Sequence, residues 1–334
     1  MLETQPLPVA SAETAEAVAS AAQRSQAAPG RTRRTRVIAF VARAAVTLLL
    51  LALLLRSISW PALAAALAGL ATLPALAGLV VGVCGVLIST YQWRALLEAD
   101  SVRMRFGLLA RLYLAGIAFS HFLPTSMGGD AYKALYVGRA SGRLAGSASA
   151  AVLARVTGFL GMLLVAALLL LLGRDTYSAR LAPVLAVAVG LVLALLAAAT
   201  LGAAFTPNLV PERATSWRPI TAAVRFGGAL RAALARPRTL IVATLIGAAF
   251  WVAGCLNYAA YGVALGIHIP LGYYFVAVPL VSLVTFLPIA INGYGLRESA
   301  IVSVLGVAGV SPAMALLLAL VMDAQVLVFG AIGG

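Results

Sequence analysis

The chain has 334 residues, of which 63% are hydrophobic and only 10% are charged. Soluble domains are about half apolar and about 25% charged, so this composition excludes a pair of soluble domains and predicts helices in lipid. The net charge of +14 would suggest nucleic acid in a soluble chain. Here the basic residues cluster between apolar runs, which indicates the cytoplasmic side of a membrane protein and no nucleic-acid partner.

Residues 1–36 are rich in Ala, Ser, Gln and Pro and carry no pattern that could form a core. We therefore predict a disordered tail, and the arginines at its end predict that it is cytoplasmic. The rest, 37–334, is predicted to be one transmembrane domain.

A membrane span needs about 20 apolar residues. Six segments approach or exceed this length, at 37–55, 74–91, 152–172, 181–205, 240–265 and 311–333, and two apolar segments are shorter, at 108–123 and 271–287. The prediction is an all-α, polytopic membrane helix bundle with about six full spans and two broken or re-entrant segments.

The segment 206–238 contains six arginines and one glutamate, which predicts a cytoplasmic location. Apolar residues at helical spacing favour an amphipathic helix on the anionic membrane surface. A solvated loop is the alternative, because Pro219 and the Gly-Gly pair at 227–228 interrupt the pattern.

Both ends of the short segment 108–123 are flanked by basic residues, so both are predicted to be cytoplasmic. One crossing cannot begin and end on the same side, so we expect a re-entrant hairpin that breaks near Pro124. The second short segment, 271–287, is expected to enter from the opposite side and to break near Pro288. An inverted repeat would produce this arrangement.

The two breaks have similar sequences. Phe-Leu-Pro at 122–124 is followed by Gly-Gly-Asp at 128–130, and Phe-Leu-Pro-Ile at 286–289 is followed by two glycines and Arg-Glu at 297–298. Broken backbone in lipid leaves polar groups without partners, so it must lie inside protein or line a polar cavity. Ordinary loops at the membrane surface are the alternative.

Charged residues and glycines at the breaks are therefore the candidate substrate-binding residues. They are Gly128, Gly129, Asp130, Lys133, Arg155, Asn292, Gly293, Gly295, Arg297 and Glu298, and Asp323 is a further intramembrane charge. We predict that the two breaks converge on one polar cavity, with the arginines facing a phosphate. A purely structural ion network is the alternative.

Four features in order resemble a known family. They are Trp-Arg-Ala-Leu-Leu at 93–97, the Gly-Gly-Asp box that ends at Asp130, an arginine early in a span at Arg155, and Asn-Gly-Tyr-Gly-Leu-Arg-Glu at 292–298. Together they resemble the flippase-like membrane region of lysylphosphatidylglycerol synthases. The family often has an acidic residue before the span arginine, and this chain has Ala154 there.

The resemblance implies binding, and translocation between leaflets, of a phospholipid or lipid-linked head group that is anionic or carries phosphate. The larger relatives add a soluble aminoacyl-transferase domain, whereas this sequence ends at Gly334, so we expect transport rather than the synthase reaction. The implied location is the plasma membrane, and a separate transferase is the implied protein partner.

Two other functions stay open. The first is an intramembrane transferase acting on a lipid phosphate, with Asp130 or Glu298 as general base. The second is a non-catalytic membrane subunit that docks a transferase. His121 and His268 are the only histidines and no nucleotide-binding loop is present, so no metal, cofactor or catalytic residue is predicted. The sequence leaves the lipid, the energy source and the oligomeric state open.

Overall fold

The computed structural model describes residues 68–122, 128–172, 236–285 and 293–333, with isolated residues at 41–52, 183–194 and 290. Eight helices are given in these ranges: α1 Thr72–Ala99, α2 Phe106–Phe122, α3 Gly128–Ser141, α4 Leu144–Leu172, α5 Pro237–Ala264, α6 Leu271–Thr285, α7 Leu296–Val307 and α8 Pro312–Gly333. The prediction of an all-helical membrane bundle is confirmed for this part of the chain.

Four of these helices, α1, α4, α5 and α8, are long and apolar enough to cross a membrane. They correspond to the predicted spans 74–91, 152–172, 240–265 and 311–333. The predicted spans 37–55 and 181–205 lie largely outside the described residues, as do the predicted tail 1–36 and most of the basic segment 206–238.

The two short apolar segments form α2 and α6, each too short for a candidate span. Each is followed by residues outside the described ranges and then by a short helix, α3 or α7. The element order is therefore a long helix, a short apolar helix, a second short helix and a long helix, given first by α1 to α4 and then by α5 to α8.

The central contact joins α1 to α5, which run antiparallel. At one end the amide of Ala71 donates to the carbonyl of Ala264 at 2.9 Å, and at the other the side chain of Gln92 donates to the carbonyl of Ala243 at 2.9 Å. Gly82, between them, faces Asn257. Residue numbers rise along α1 while those of the contacting residues on α5 fall. Equivalent positions of the two helices therefore lie toward opposite ends of the bundle.

Buried amide side chains cross-link the long helices at two levels. Gln92 of α1 also donates to the Thr157 hydroxyl of α4 at 3.0 Å. At the other level, Asn257 of α5 donates to Gln325 of α8 at 2.8 Å, and Gln325 donates to the carbonyl of Gly78 at 3.3 Å. In lipid such bonds satisfy polar groups that have no water to bind, so they hold the four helices together.

We expect Gln325→Leu to lower the free energy of unfolding by about 1 kcal/mol, since interhelical hydrogen bonds in membranes contribute about that much. The change removes two hydrogen bonds and leaves a buried donor on Asn257 without its acceptor. Thermal unfolding in detergent measures the effect. A variant that unfolds at the wild-type temperature would show that this amide contributes nothing to helix association.

The apolar core is divided between the two halves. One cluster centres on Trp93, Leu97 and Leu109 of α1 and α2 and includes residues of α3 and α4. The other centres on Tyr274 and Leu318 of α6 and α8 and includes residues of α5 and α7. The division is not complete, because α2 also packs on α8, and each cluster includes residues of a long helix from the other half, Ala243 of α5 in the first and Leu163 of α4 in the second.

Candidate functional site

The first break carries three charged side chains, Asp130, Lys133 and Arg155, called here the first-half cluster, in which Asp130 contacts both cations. Asp130 lies in the first turn of α3, and its Oδ2 accepts a hydrogen bond from Arg155 Nε of α4 at 2.6 Å. Its Oδ1 lies 2.9 Å from Lys133 Nζ, one turn further along α3. One carboxylate therefore faces two cations, and the cluster has a formal charge of +1.

Lys133 is held in an aromatic setting. The residue is only 9% exposed, and its Nζ lies 4.3 Å from the ring centroid of Tyr113 and 5.3 Å from that of Trp93. The ring faces attract an ammonium group, so they and Asp130 compensate part of its lost hydration. The neighbouring Tyr132 stacks on Phe119, which fixes α3 against α2.

Glycines bring the backbones of α2 and α3 into contact next to this cluster. A Cβ added to Gly129 would overlap the carbonyl oxygen of Gly116 and the hydroxyl of Ser120. The Gly129 amide donates to that hydroxyl at 3.2 Å. The close approach requires glycine at 129, which gives this residue of the predicted set a structural explanation.

The second break carries Arg297, Glu298 and Asp323, called here the second-half cluster. Arg297, in the first turn of α7, forms an ion pair with Asp323 of α8, and its guanidinium also lies 3.6 Å from Glu298. Glu298 is only 2% exposed, and its Oε2 accepts a hydrogen bond from the Gly295 amide at 2.5 Å. With two carboxylates and one guanidinium, this cluster has a formal charge of −1.

Part of the second-half cluster has a structural role that sequence reasoning did not assign. Glu298 caps the N-terminus of α7 by accepting a hydrogen bond from the Gly295 amide, as the N3 residue of a capping box does. Gly293 and Gly295 have φ of +76° and +77°, a backbone conformation that favours glycine. These glycines therefore shape the turn into α7. The predicted residue Asn292 lies outside the described residues.

The structure shows how Arg155 is paired although the residue before it is Ala154. The carboxylate that pairs with Arg155 comes from Asp130, 25 residues earlier in the chain. The acid–arginine pair is thus made between two helices instead of within one. Sequence reasoning grouped these two residues but could not give the pairing, because it depends on how α3 packs against α4.

The two clusters lie at different levels of the bundle. Arg155 is two residues before Thr157, which contacts Gln92, and Asp323 is two residues before Gln325, which contacts Gly78. Gly78 and Gln92 are 14 residues apart on α1, or about 21 Å at 1.5 Å per residue. Convergence of the two breaks on one cavity stays a prediction.

Sequence reasoning missed the buried amides of the long helices and the tyrosine ring that covers Lys133. Gln92, Asn257 and Gln325 make the amide cross-links, and Tyr113 covers Lys133. A signal was available for the amides, since an uncharged polar residue within an apolar run of span length is costly without a partner. Tyr113 gave no such signal, because tyrosine is common in membrane helices.

The fold and these clusters define a class: an α-helical integral membrane protein with charged side chains paired inside its helix bundle. The comparison with known families gives a more particular result. The family described as Lysylphosphatidylglycerol synthase TM region matches residues 40–334. The chain belongs to this family, as the sequence resemblance implied. No curated protein and no solved structure matches significantly.

Proposed function

We propose that this protein moves a phospholipid or a lipid-linked head group between the leaflets of the plasma membrane. The observation that carries the proposal is the first-half cluster, where two cations share one carboxylate inside the bundle. A charge within a membrane costs about 2.5–3.5 kcal/mol on insertion scales, and a site that presents two cations around one carboxylate suits an anionic ligand. Phosphate fits, because Arg155 can present two parallel donors to it.

The arrangement of helices supports transport across the membrane more than chemistry at one position. The two halves repeat the same order of elements, and α1 runs antiparallel to α5. We propose six spans with two re-entrant segments, related as an inverted repeat, and a cytoplasmic N-terminus. The head group would occupy the first-half cluster on its way between leaflets, while its acyl chains stay in lipid.

Purified protein in vesicles tests this proposal. We expect a fluorescent phospholipid with an anionic head group to exchange between leaflets faster than in protein-free vesicles, measured as the fraction that an impermeant quencher reaches. Chemical conversion of the lipid would instead indicate an intramembrane transferase. If the lipid is neither moved nor altered, the non-catalytic docking subunit replaces transport as the preferred function.

A further inference from the structure

The two cations of the first-half cluster differ in accessibility. The side chain of Lys133 is 11% exposed, whereas that of Arg155 is 32% exposed. A head group that reaches the cluster can contact the Arg155 guanidinium directly, but it would have to displace protein to reach the Lys133 ammonium. The two side chains are therefore not equivalent as contacts for a phosphate.

The packing around Lys133 explains why its ammonium is enclosed. Its Nζ lies 2.9 Å from Asp130 Oδ1, and the rings of Tyr113 on α2 and Trp93 on α1 lie beside it. Its aliphatic stem lies against α2, where a Cβ added to Gly116 would be only 3.1 Å from Lys133 Cδ. Glycine at 116 thus leaves room for the stem, and these contacts hold the ammonium where α1, α2 and α3 meet.

The enclosed ammonium changes the charge that a ligand meets at Arg155. Asp130 contacts Lys133 through Oδ1 and Arg155 through Oδ2. Without Lys133, the carboxylate and the guanidinium would form a neutral pair. With Lys133, the formal charge of the three side chains is +1. Charges inside a protein are screened much less than exposed ones, so this surplus acts on whatever binds at Arg155.

We propose that Lys133 determines head-group selectivity without contacting the head group. This step rests on the proposed transport function. Arg155 binds the phosphate, and the ammonium of Lys133 makes the cluster favour head groups with a net negative charge over zwitterionic ones. Both classes carry a phosphate that Arg155 can bind. They differ in the cationic group of the zwitterion, which a cluster with surplus positive charge repels.

The variant Lys133→Met tests this role, because methionine keeps most of the aliphatic stem and removes the charge. Purified protein in detergent is titrated with two fluorescent phospholipids that share their acyl chains. One has an anionic glycerol head group, and the other has a zwitterionic phosphocholine head group. We expect the wild type to bind the anionic probe more tightly. The ratio of the two dissociation constants should fall about tenfold in the variant, or ~1.4 kcal/mol.

The double variant Lys133→Met with Asp130→Asn separates the effect of charge from that of packing. It removes one positive and one negative charge, so the formal charge of the cluster returns to +1, now on Arg155 alone. We expect the selectivity ratio to recover toward the wild-type value, although the ion pairs of both replaced side chains stay lost. A ratio as low as that of Lys133→Met would show that Lys133 acts through packing and would overturn the inference.

The matched control is Arg139→Met, which removes one positive charge from the last turn of the same helix. Arg139 is exposed, and salt screens exposed charges more strongly than buried ones. The ratio should therefore stay at the wild-type value. If Arg139→Met lowers the ratio as much as Lys133→Met does, the overall charge of the protein sets selectivity and the inference is wrong. An unchanged ratio in Lys133→Met would reject it as well.

The binding result and the transport result can fail separately. Selectivity that depends on Lys133, found in a protein that exchanges no lipid in vesicles, would keep the role of Lys133 and reject the proposed transport. Lipid exchange together with an unchanged binding ratio in Lys133→Met would keep transport and reject the role of Lys133.

Discussion

Replacing Asp130 with asparagine should reduce lipid exchange in vesicles by about tenfold or more. The variant leaves Lys133 and Arg155 as neighbouring cations with no carboxylate between them, inside the bundle. Removing one partner of a buried ion pair costs several kcal/mol of free energy, and partial exposure of these side chains lowers that cost. A loss of ~1.4 kcal/mol already corresponds to a factor of ten in an equilibrium constant. The initial rate of exchange at equal protein content is the measurement.

The matched control is Glu98→Gln, which makes the same acid-to-amide change in an exposed ion pair. Glu98 pairs with Arg94 at 2.7 Å, but both side chains are about 40% exposed (38% for Arg94 and 41% for Glu98). Exposed pairs contribute about 0–1 kcal/mol, so exchange should stay near the wild-type rate. Equal rates for the Asp130 and Glu98 variants would remove the first-half cluster from the transport path.

A large loss of stability is expected from Gly161→Ala. A Cβ at Gly161 of α4 would meet the backbone of α5 at 247 and 248, which cannot yield as a flexible side chain could. Membrane helices approach closely through small residues, and overpacking costs about 1–3 kcal/mol. We therefore expect a loss of that size, or failure to insert as a stable bundle, measured by thermal unfolding in detergent.

Gly158→Ala is the control on the same helix, one turn earlier. A Cβ at this position meets nothing within 4 Å, and alanine favours a helix over glycine by about 1 kcal/mol. This variant should be as stable as the wild type or slightly more so. If both alanine variants unfold alike, the close contact between α4 and α5 is not what limits stability.

The membrane fold could be predicted from the sequence because the property that determines it is local. A span requires about 20 apolar residues whatever its neighbours are, so hydropathy alone located α1, α4, α5 and α8. The short lengths of α2 and α6 were also visible, since proline and glycine interrupt the apolar runs after them. The family could be recognised from the sequence for a similar reason, because its motifs are short, contiguous stretches of the chain.

The candidate residues were found in part by the same local reasoning. An uncompensated charge inside an apolar segment is costly wherever the segment lies, which singled out Asp130, Arg155 and Asp323. That cost indicates that a partner is needed, but it does not say which one. The sequence offered Lys133 as a neighbour for Asp130 at helical spacing, and it gave no means to assign Arg155 or Asp323.

Tertiary structure alone decided which charges meet and at what level. Asp130 pairs with Arg155, and Arg297 pairs with Asp323, because α3 packs on α4 and α7 packs on α8. Gln92 and Gly78, which contact residues two positions after Arg155 and Asp323, are 14 residues apart on α1, or about 21 Å. Hydropathy sets the number and length of helices, but it is nearly uniform around each one. Packing of small residues and a few buried amides therefore determines which faces meet.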